Sequence, residues 1–215
     1  MPFTISLTSS LAKLSTFGVY PKSAVDIGAH HGEWYKAFKQ VFPCTSVLSV
    51  EANPLAFEIL KQENPNSLNS CFSDRQEKRL FYLPNEKFAS SDTGASLYKE
   101  NRHFYDAPSI IQIETQTLDD LSSHFDYIKL DVQGAELDVL RGGMQTLSSA
   151  DFVQIEVSVL QYNQASPLSA ELISFLHLNH FSLLDITEIL VYNDRICQLD
   201  LLFCATSKYA TLMSI

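Results

Sequence analysis

Short apolar runs alternate with apolar residues at helical spacing along most of the chain. The short runs predict β-strands at residues 24–27, 46–50, 69–72, 127–130, 152–157, 181–186 and 199–204. Helical spacing follows the first strand, where Trp34, Phe38 and Val41 form one apolar stripe. Strands that alternate with helices in this way are typical of an α/β fold with helices on both faces of a mostly parallel sheet. We therefore predict a single α/β domain with a seven-stranded sheet.

Three segments depart from this alternation. A helical repeat of leucines predicts an N-terminal helical cap over residues 1–20. The helical period is lost at about residues 77–118, between the third and fourth strands, and extended patterns there predict a β insertion. We expect residues 208–215 to form a loosely held tail. The domain proper is then residues 21–207.

The turn after the first strand contains a candidate ligand site. Asp26 lies at the carboxyl end of the strand, and Gly28 and Gly32 punctuate the turn that follows. Glycine has no Cβ, so the backbone can turn sharply and approach a ligand closely. The helix that begins after the turn points its first N–H groups toward the same place. Many β-α turns have this form, so the turn alone does not decide between a ligand site and a structural role.

The second strand ends in another carboxylate, Glu51. An acidic residue at this place in a Rossmann-like unit usually accepts hydrogen bonds from the ribose hydroxyls of a nucleoside cofactor. Dinucleotide sites use the pattern G-x-G-x-x-G, whereas this turn has G-x-x-x-G. Asp26 would also repel a pyrophosphate and attract a cation. These features favour S-adenosylmethionine, which has an ammonium and a sulfonium, over a nicotinamide dinucleotide.

Five motifs follow one another along the chain: VDIGAHHG (25–32), VEANP (50–54), TLDDL (117–121), DYIKLDVQGAE (126–136) and VLRGG (139–143). In this order they resemble the FkbM family of S-adenosylmethionine-dependent methyltransferases, and the resemblance extends over about residues 20–206. Two positions differ from the usual pattern of that family. His30 stands in place of an Asn, and Gln133 in place of the commoner Glu.

The resemblance implies a single Rossmann-like class I methyltransferase domain with S-adenosylmethionine as methyl donor. It also implies methylation of a hydroxyl group on a sugar, a glycan or another small hydroxylated metabolite. With the strand-end residues, it predicts donor contacts at Asp26, Gly28, Ala29, His30, Gly32, Glu51, Ala52, Asn53, Ser73 and Asp74. Asn53 is also a good helix cap, since Pro54 follows it, and Asp74 can simply begin a turn.

Two acidic residues of later strands are candidates for the chemistry. Asp131 follows the fourth strand and should face the same crevice as Asp26, because ligands bind beyond the carboxyl ends of parallel strands. It can act as general base, orient the acceptor or bind the methionine end of the donor. Glu156 is the second candidate, since a carboxylate within an apolar strand needs a partner or a function. His30 and His31 are the third choice.

Acceptor and metal contacts have weaker signals in the sequence. We expect Ser96, in the β insertion, and Tyr162, in the loop after the fifth strand, to contact the substrate. The chain has no compact metal-ligand motif, and we predict no metal site. Asp131, Glu156 and a neighbouring His nevertheless offer oxygen and imidazole ligands that a divalent cation accepts.

Composition and charge narrow the classes of partner. The formal net charge is −10, and the only adjacent basic pair is Lys78–Arg79, so we do not expect nucleic-acid binding. Four cysteines without C-x-x-C spacing are expected to be free thiols in a reducing compartment. The N-terminus lacks a signal-peptide pattern, and no apolar run reaches the ~18 residues of a transmembrane helix. We therefore predict a cytoplasmic protein that acts on a small molecule or a glycan.

Two other functions stay open on the sequence alone. One is a nicotinamide-dependent oxidoreductase, which the glycine spacing disfavours. The other is a non-catalytic module that binds a nucleoside, because a fold does not fix a function. Assembly as a homo-oligomer is also open.

Overall fold

The computed structural model describes residues 5–84, 93–101, 108–161 and 163–213. Its strands are β1 (Ser23–Ile27), β2 (Ser46–Glu51), β3 (Ser67–Asn69), β4 (Cys71–Phe72), β5 (Lys78–Leu83), β6 (Ser109–Gln116), β7 (Tyr127–Leu130), β8 (Phe152–Ser158), β9 (Phe181–Tyr192) and β10 (Arg195–Ala205). Its helices are α1 (Leu7–Thr16), α2 (Glu33–Val41), α3 (Pro54–Glu63), α4 (Glu136–Arg141), α5 (Met144–Ser149), α6 (Ser169–Leu178) and α7 (Thr206–Met213). None of the described helices is long and apolar enough to cross a membrane.

Within the described residues, the main sheet has seven strands in the order β3-β2-β1-β7-β8-β10-β9. The first five of these run parallel, and β10 is antiparallel to both β8 and β9. The predicted seven-stranded, mostly parallel sheet is therefore confirmed. The strand order reverses between β1 and β7, in the middle of the sheet. Ligands of open α/β sheets bind beyond the carboxyl ends of the strands at such a place.

One predicted strand is divided between two sheets. The sequence predicts a third strand at residues 69–72, but the chain leaves the main sheet at Ser70. β3, before it, pairs with β2, whereas β4, after it, pairs with β6 in a three-stranded sheet of order β4-β6-β5. The amide of Ser70 donates to the carbonyl of Glu51 (3.2 Å) as the last link to β2. β5 and β6 are extended segments within the predicted β insertion.

The main sheet has two different apolar faces, because successive side chains of a strand point to opposite sides. In β7, Ile128 and Leu130 belong to a mostly aliphatic cluster that packs with α4, α5 and α6. Tyr127 belongs to a second cluster, under α1 and α2. There the ring centroid of Phe38 lies 5.1 Å from that of Tyr127 and 4.4 Å from that of Trp34. We call the side of the sheet that carries Tyr127 the aromatic face.

Both ends of the described chain pack on the aromatic face. Leu11 of α1 is buried in its cluster, and Lys13 contacts Asp185 of β9 (Nζ–Oδ2 2.8 Å). Leu212 of α7 is 6% exposed and joins the same cluster. The described part of the segment for which the sequence predicts a loosely held tail, residues 208–213, thus lies in α7. Burial of the apolar Leu212 side chain holds this segment as a helix against the sheet.

Candidate active site

The aromatic face becomes polar toward the carboxyl ends of its strands. In β7, Lys129 lies two residues beyond Tyr127 and so points to the same side of the sheet. The register places Asp26 of β1 and Gln154 of β8 beside Lys129. These three polar side chains are almost fully buried, at 1–3% exposure. Polar groups are costly to bury unless they are paired or serve a ligand, so this row marks a candidate site.

A cavity of about 430 Å³, which we call the first cavity, lies beyond the ends of β1, β2 and β7. Its volume is in the usual range for sites that bind small molecules. Seven of the ten predicted donor contacts line it: Asp26, Gly28, Ala29, His30, Glu51, Ala52 and Asn53. Asp131 and Lys129 lie in the same wall. The structure thus brings the acidic ends of three neighbouring strands to one space, as the sequence predicted.

Close backbone contacts determine the conformation of the glycine turn after β1. Gly28 has a left-handed φ of +82°, and a Cβ on it would lie 1.8 Å from the carbonyl oxygen of Asp131. The amides of Gly28 and Ala29 both donate to the carbonyl of Val50, at 2.9 and 3.0 Å. These N–H groups therefore join β1 to β2 and are not directed at the cavity. Glycine is needed here because β7 passes so close.

Backbone amides hold Glu51 at the edge of the first cavity. One carboxylate oxygen accepts from the amide of His30 (2.8 Å), and the other accepts from the amide of Asn53 (2.7 Å). Burial raises the pKa of Glu51, although these hydrogen bonds oppose the rise. Each carboxylate oxygen can accept a second hydrogen bond. Asn53 itself caps α3, since its side-chain oxygen accepts from the amide of Leu55 (3.1 Å).

Asp26 has a buried carboxylate oxygen without a partner. The residue is 1% exposed, and Oδ2 makes no hydrogen bond to any residue that the structure describes. Burial raises the pKa of Asp26 to about 8; the carboxylates of Asp131 and Glu51 add to the rise, while Lys129 opposes it. Unpartnered buried polar atoms are rare in folded proteins. A cationic ligand group in the first cavity would supply the missing partner.

The two predicted catalytic carboxylates are linked through one side-chain amide. Nε2 of Gln133 donates to Asp131 Oδ1 (2.8 Å) and to Glu156 Oε1 (3.0 Å). Gln198 of β10 also donates to Glu156. Burial raises the pKa of Glu156 well above its ordinary value, and the neighbouring Asp131 adds to the rise. Gln133 reaches both partners from a left-handed backbone conformation, with φ +55°.

Lys129 supplies a buried positive charge between these acids. Its Nζ lies 2.8 Å from Asp200 Oδ2 and 3.4 Å from Asp131 Oδ2. Burial alone would lower the pKa of Lys129, but the two carboxylates outweigh burial and raise it. The ammonium therefore stays charged and offsets part of the negative charge of the site. Sequence reasoning did not single out Lys129, because it lies inside a predicted strand.

The family model described as the methyltransferase FkbM domain matches residues 26–183, which is more than half of the chain. This chain belongs to the FkbM methyltransferase family. A curated relative, the 2-O-methyltransferase NoeI of Sinorhizobium fredii (strain NBRC 101917 / NGR234), is 31% identical over 167 residues, which cover 68% of this chain and 68% of that protein. The chain is an S-adenosylmethionine-dependent methyltransferase, and the nicotinamide alternative is set aside.

Solved structures show the same fold. Methyltransferase FkbM from Methylobacillus flagellatus KT matches with a TM-score of 0.52 and 15% identity, over 83% of this chain and 43% of that one. Magnesium protoporphyrin IX methyltransferase from Synechocystis PCC 6803, with bound S-adenosylmethionine, matches with a TM-score of 0.50 and 13% identity, over 92% and 77% of the two chains. At these identities the likeness concerns the fold, which is that of class I methyltransferases. The present FkbM chain spans less than half the length of the M. flagellatus protein.

Two predicted donor contacts of this FkbM chain, Ser73 and Asp74, lie outside the wall of the first cavity. The chain leaves the main sheet at Ser70, so the residues that follow β4 lie at the small sheet instead. There the hydroxyl of Ser73 accepts from the guanidinium of Arg79 (3.1 Å). Ser70 lines the cavity instead, and its buried hydroxyl has no hydrogen-bond partner among the described residues. The sequence did not single out Ser70, because it falls in the middle of a predicted strand.

Gly32 and Ser96 are also absent from the wall of the first cavity. Gly32 packs toward α3, where a Cβ on it would lie 3.3 Å from Leu60 Cδ1. Ser96 donates its hydroxyl to the carbonyl of Gln133 (2.7 Å) and so fixes the turn after β7. Tyr162, the other predicted substrate contact, lies outside the described residues.

A group of potential metal ligands occurs beside the glycine turn rather than at Asp131 and Glu156. In the described part of the chain, His30, His31 and Glu33 have ligand atoms within 4.8 Å of one another. The two imidazole rings are stacked, with centroids 3.7 Å apart. Glu33 is exposed and lies 3.6 Å from His30 Nδ1. The two histidines of this group are half-buried, and His30 also lines the first cavity.

Proposed function

We propose that this FkbM methyltransferase transfers the methyl group to a hydroxyl oxygen of a small hydroxylated acceptor, such as a sugar or a glycan unit. The observation that carries the proposal is the carboxylate of Asp131, which lies in the wall of the first cavity with a third of its side chain exposed (33%). A hydroxyl group must lose its proton when it is methylated, and a carboxylate at this place can accept it. The name of the relative NoeI, a 2-O-methyltransferase, supports oxygen as the acceptor atom.

We assign the two ends of the donor to the first cavity by charge and hydrogen bonding. The unpartnered oxygen of Asp26 is assigned to the ammonium group of the methionine end. Glu51, which backbone amides hold at the edge of the cavity, is assigned to the ribose hydroxyls. The buried hydroxyl of Ser70, next to the apolar Phe72, is assigned to the edge of the adenine ring.

The residues of the chain then act mainly by placement. When bound, S-adenosylmethionine supplies an electrophilic methyl group on a positively charged sulfur and leaves as a neutral thioether. The acceptor oxygen must be held about 3–3.5 Å from the methyl carbon. Asp131 takes the proton of the hydroxyl as the new carbon–oxygen bond forms, and later releases it to water. A positioned base of this kind contributes typically ~10²–10⁴-fold to the rate.

Gln133 and Lys129 keep Asp131 in position for this step. Hydrogen bonding to Gln133 (2.8 Å) fixes one carboxylate oxygen, and Lys129 (3.4 Å) lies beside the other. Glu156 lies behind Gln133 and is the second candidate for the catalytic role. His30 lines the first cavity, but its amide is already used to hold Glu51.

Replacement of Asp131 by Asn tests this assignment. We expect methyl transfer to a monosaccharide or oligosaccharide acceptor to slow by about 10²–10⁴-fold in single turnovers. Calorimetry should show less than about a threefold change in the affinity for S-adenosylmethionine. The opposite pattern, in which donor affinity falls and the rate constant is kept, would mean that Asp131 binds the donor instead. Mass spectrometry of the product that places the methyl group on nitrogen or carbon would refute O-methylation.

A further inference from the structure

A second cavity, of about 320 Å³, adjoins the first on the aromatic face. Among the described residues, the two cavities share four in their walls: Glu33, Trp34, Lys129 and Asp131. β1 lies on one side of β7, and the strands under the second cavity, β8, β10 and β9, lie on the other. Asp131 thus borders both spaces. A molecule in the second cavity can therefore present an oxygen to a reacting group in the first.

Three carboxylates lie opposite one another across the floor of the second cavity. Asp200 of β10 is in register with Glu156 of β8 and with Glu188 of β9. Like charges directly opposite each other on neighbouring strands are destabilising. Burial and neighbouring carboxylates, Asp200 among them, raise the pKa of both glutamates. Within this row Asp200 pairs with Lys129 and accepts from Gln154. Glu156 accepts from Gln133 and Gln198. The carboxylate of Glu188 has no such contact among the described residues, which makes it a candidate for binding a ligand.

The wall of the second cavity has a large excess of acidic groups. Its described carboxyl groups are those of Glu33, Asp131, Glu156, Glu188 and Asp200. The one ammonium among the described lining residues is that of Lys129, and it already contacts Asp200 and Asp131. Such a wall attracts cations and repels anions, most strongly where water is excluded.

Several side chains of this wall are held by hydrogen bonds to one another, whereas one carboxylate can accept a ligand group. Gln154 accepts at one oxygen from Trp34 Nε1 and from the hydroxyl of Tyr127, both at 2.9 Å. Its amide nitrogen donates to Asp200 (3.0 Å). The side chain of Glu188, in contrast, is exposed, and its carboxylate makes no hydrogen bond or ion pair with the side chains or backbone that the structure describes. It can therefore bind a ligand group without giving up a contact.

We propose that the second cavity binds the methyl acceptor, and that this acceptor is a hydroxylated molecule with an ammonium group, such as an amino sugar, held by Glu188 and Asp200. That the bound molecule is the methyl acceptor rests on the proposed O-methylation, whereas its binding in the second cavity does not. Molecules of the same size that have a phosphate or a carboxylate are excluded by the acidic wall. Neutral sugars bind, but more weakly.

Calorimetry on the full chain loaded with S-adenosylhomocysteine tests this without any turnover. The probes are glucosamine, galactosamine, glucose and glucose 6-phosphate. We expect an amino sugar to bind at least ~10-fold more tightly than glucose, and no binding of the phosphate, as the charge of the wall requires. Equal affinity for amino and neutral sugars, tighter binding of the phosphate, or no binding of any probe would overturn the proposal. Displacement of the amino sugar by Mg²⁺ would overturn it in favour of a metal site.

Glu188→Gln removes one charge of the wall without touching the first cavity. We expect it to weaken amino-sugar binding at least fivefold and glucose binding less than twofold, with the affinity for S-adenosylhomocysteine unchanged. Glu58→Gln, on the outer side of α3 and in neither cavity, is the matched control. An equal loss for both sugars would show a merely structural role and contradict the proposal. If the amino sugar binds as expected but is not methylated on oxygen, the proposed function fails, and the binding of an ammonium group by the second cavity stands without it.

Discussion

Replacement of Asp26 by Asn should change donor affinity and protein stability in opposite directions. Asn has almost the same shape but no charge. The Asp26 carboxyl is 1% exposed, one of its oxygens has no partner among the described residues, and burial raises its pKa to about 8. The free enzyme thus keeps a group whose ionised form is costly until a cation binds beside it. The donor supplies that cation.

The loss of donor affinity follows from the missing charged hydrogen bond. Hydrogen bonds to charged groups contribute about 1.5–3 kcal/mol. The dissociation constant of Asp26→Asn for S-adenosylmethionine should therefore rise about 10- to 150-fold. The wild-type enzyme should also release close to one proton on binding at pH 7, because its carboxyl is mostly protonated in the free state and ionised beside the ammonium. The variant should release none from this site.

The gain in stability follows from the raised pKa of Asp26. The ordinary value is 3.8, so above pH 4 the unfolded chain releases a proton that the folded free protein keeps until about pH 8. The stability contribution of Asp26 therefore falls as pH rises through this window. At about 1.4 kcal/mol per pH unit, the destabilisation approaches ~4 kcal/mol at pH 7 as an upper limit. An Asn at this position does not titrate and so lacks this destabilisation. We therefore expect the free energy of unfolding of Asp26→Asn to exceed that of the wild type by about 1–4 kcal/mol at pH 7.

Two measurements check the expected loss of donor affinity and the expected gain in stability. Calorimetric titration in two buffers of different ionisation enthalpy gives the affinity and the number of protons released. Urea unfolding of the ligand-free proteins between pH 4 and pH 8 gives the stability difference, which should shrink toward pH 4. Donor binding by Asp26→Asn as tight as that of the wild type, or a lower stability than the wild type at pH 7, would contradict the role assigned to Asp26.

Three other substitutions test the geometry of the site. Glu51→Gln should weaken S-adenosylmethionine binding about 10- to 150-fold in calorimetry, because two backbone amides and the ribose lose a charged acceptor; an unchanged affinity would contradict the assignment. Lys129→Met leaves buried carboxylates without their cation and should lower the free energy of unfolding by about 3–5 kcal/mol in urea; a change below ~1 kcal/mol would show that the charge is not needed. Gly28→Ala places a Cβ against the carbonyl of Asp131 and should lower stability by about 2–5 kcal/mol. Gly18→Ala, at a similar φ of +75° but with open space around it, is the control and should lower stability by less.

Residues at the ends of parallel strands were predictable from the sequence. Asp26, Glu51 and Asp131 each follow an apolar run, and parallel strands present their carboxyl ends at one edge of the sheet. The pattern therefore placed the three acids in one crevice without any knowledge of side-chain contacts. The role of the glycine turn was not predictable. The amides of Gly28 and Ala29 donate to the carbonyl of Val50, and this contact depends on how closely the strands approach.

The other half of the site depends on pairing that no local pattern reveals. Asp200 and Glu188 face Glu156 because β10 runs antiparallel between β8 and β9, in a register that contains irregular steps. A change of one residue in this register would turn the acids to the opposite face. The ion pair of Lys129 was not predictable for the same reason, since its partner Asp200 lies 71 positions away. Such contacts are set by tertiary structure and not by strand propensity.

A crystal structure of the complex with S-adenosylhomocysteine shows whether the first cavity is the donor site. We predict that the ammonium nitrogen of the ligand lies within hydrogen-bonding distance, about 2.7–3.2 Å, of Asp26 Oδ2, and that Glu51 accepts from the ribose hydroxyls. We also predict that the sulfur lies at the border of the two cavities, beside Asp131. A ligand that leaves Asp26 Oδ2 without a partner, or that binds away from the first cavity, would contradict the proposed site.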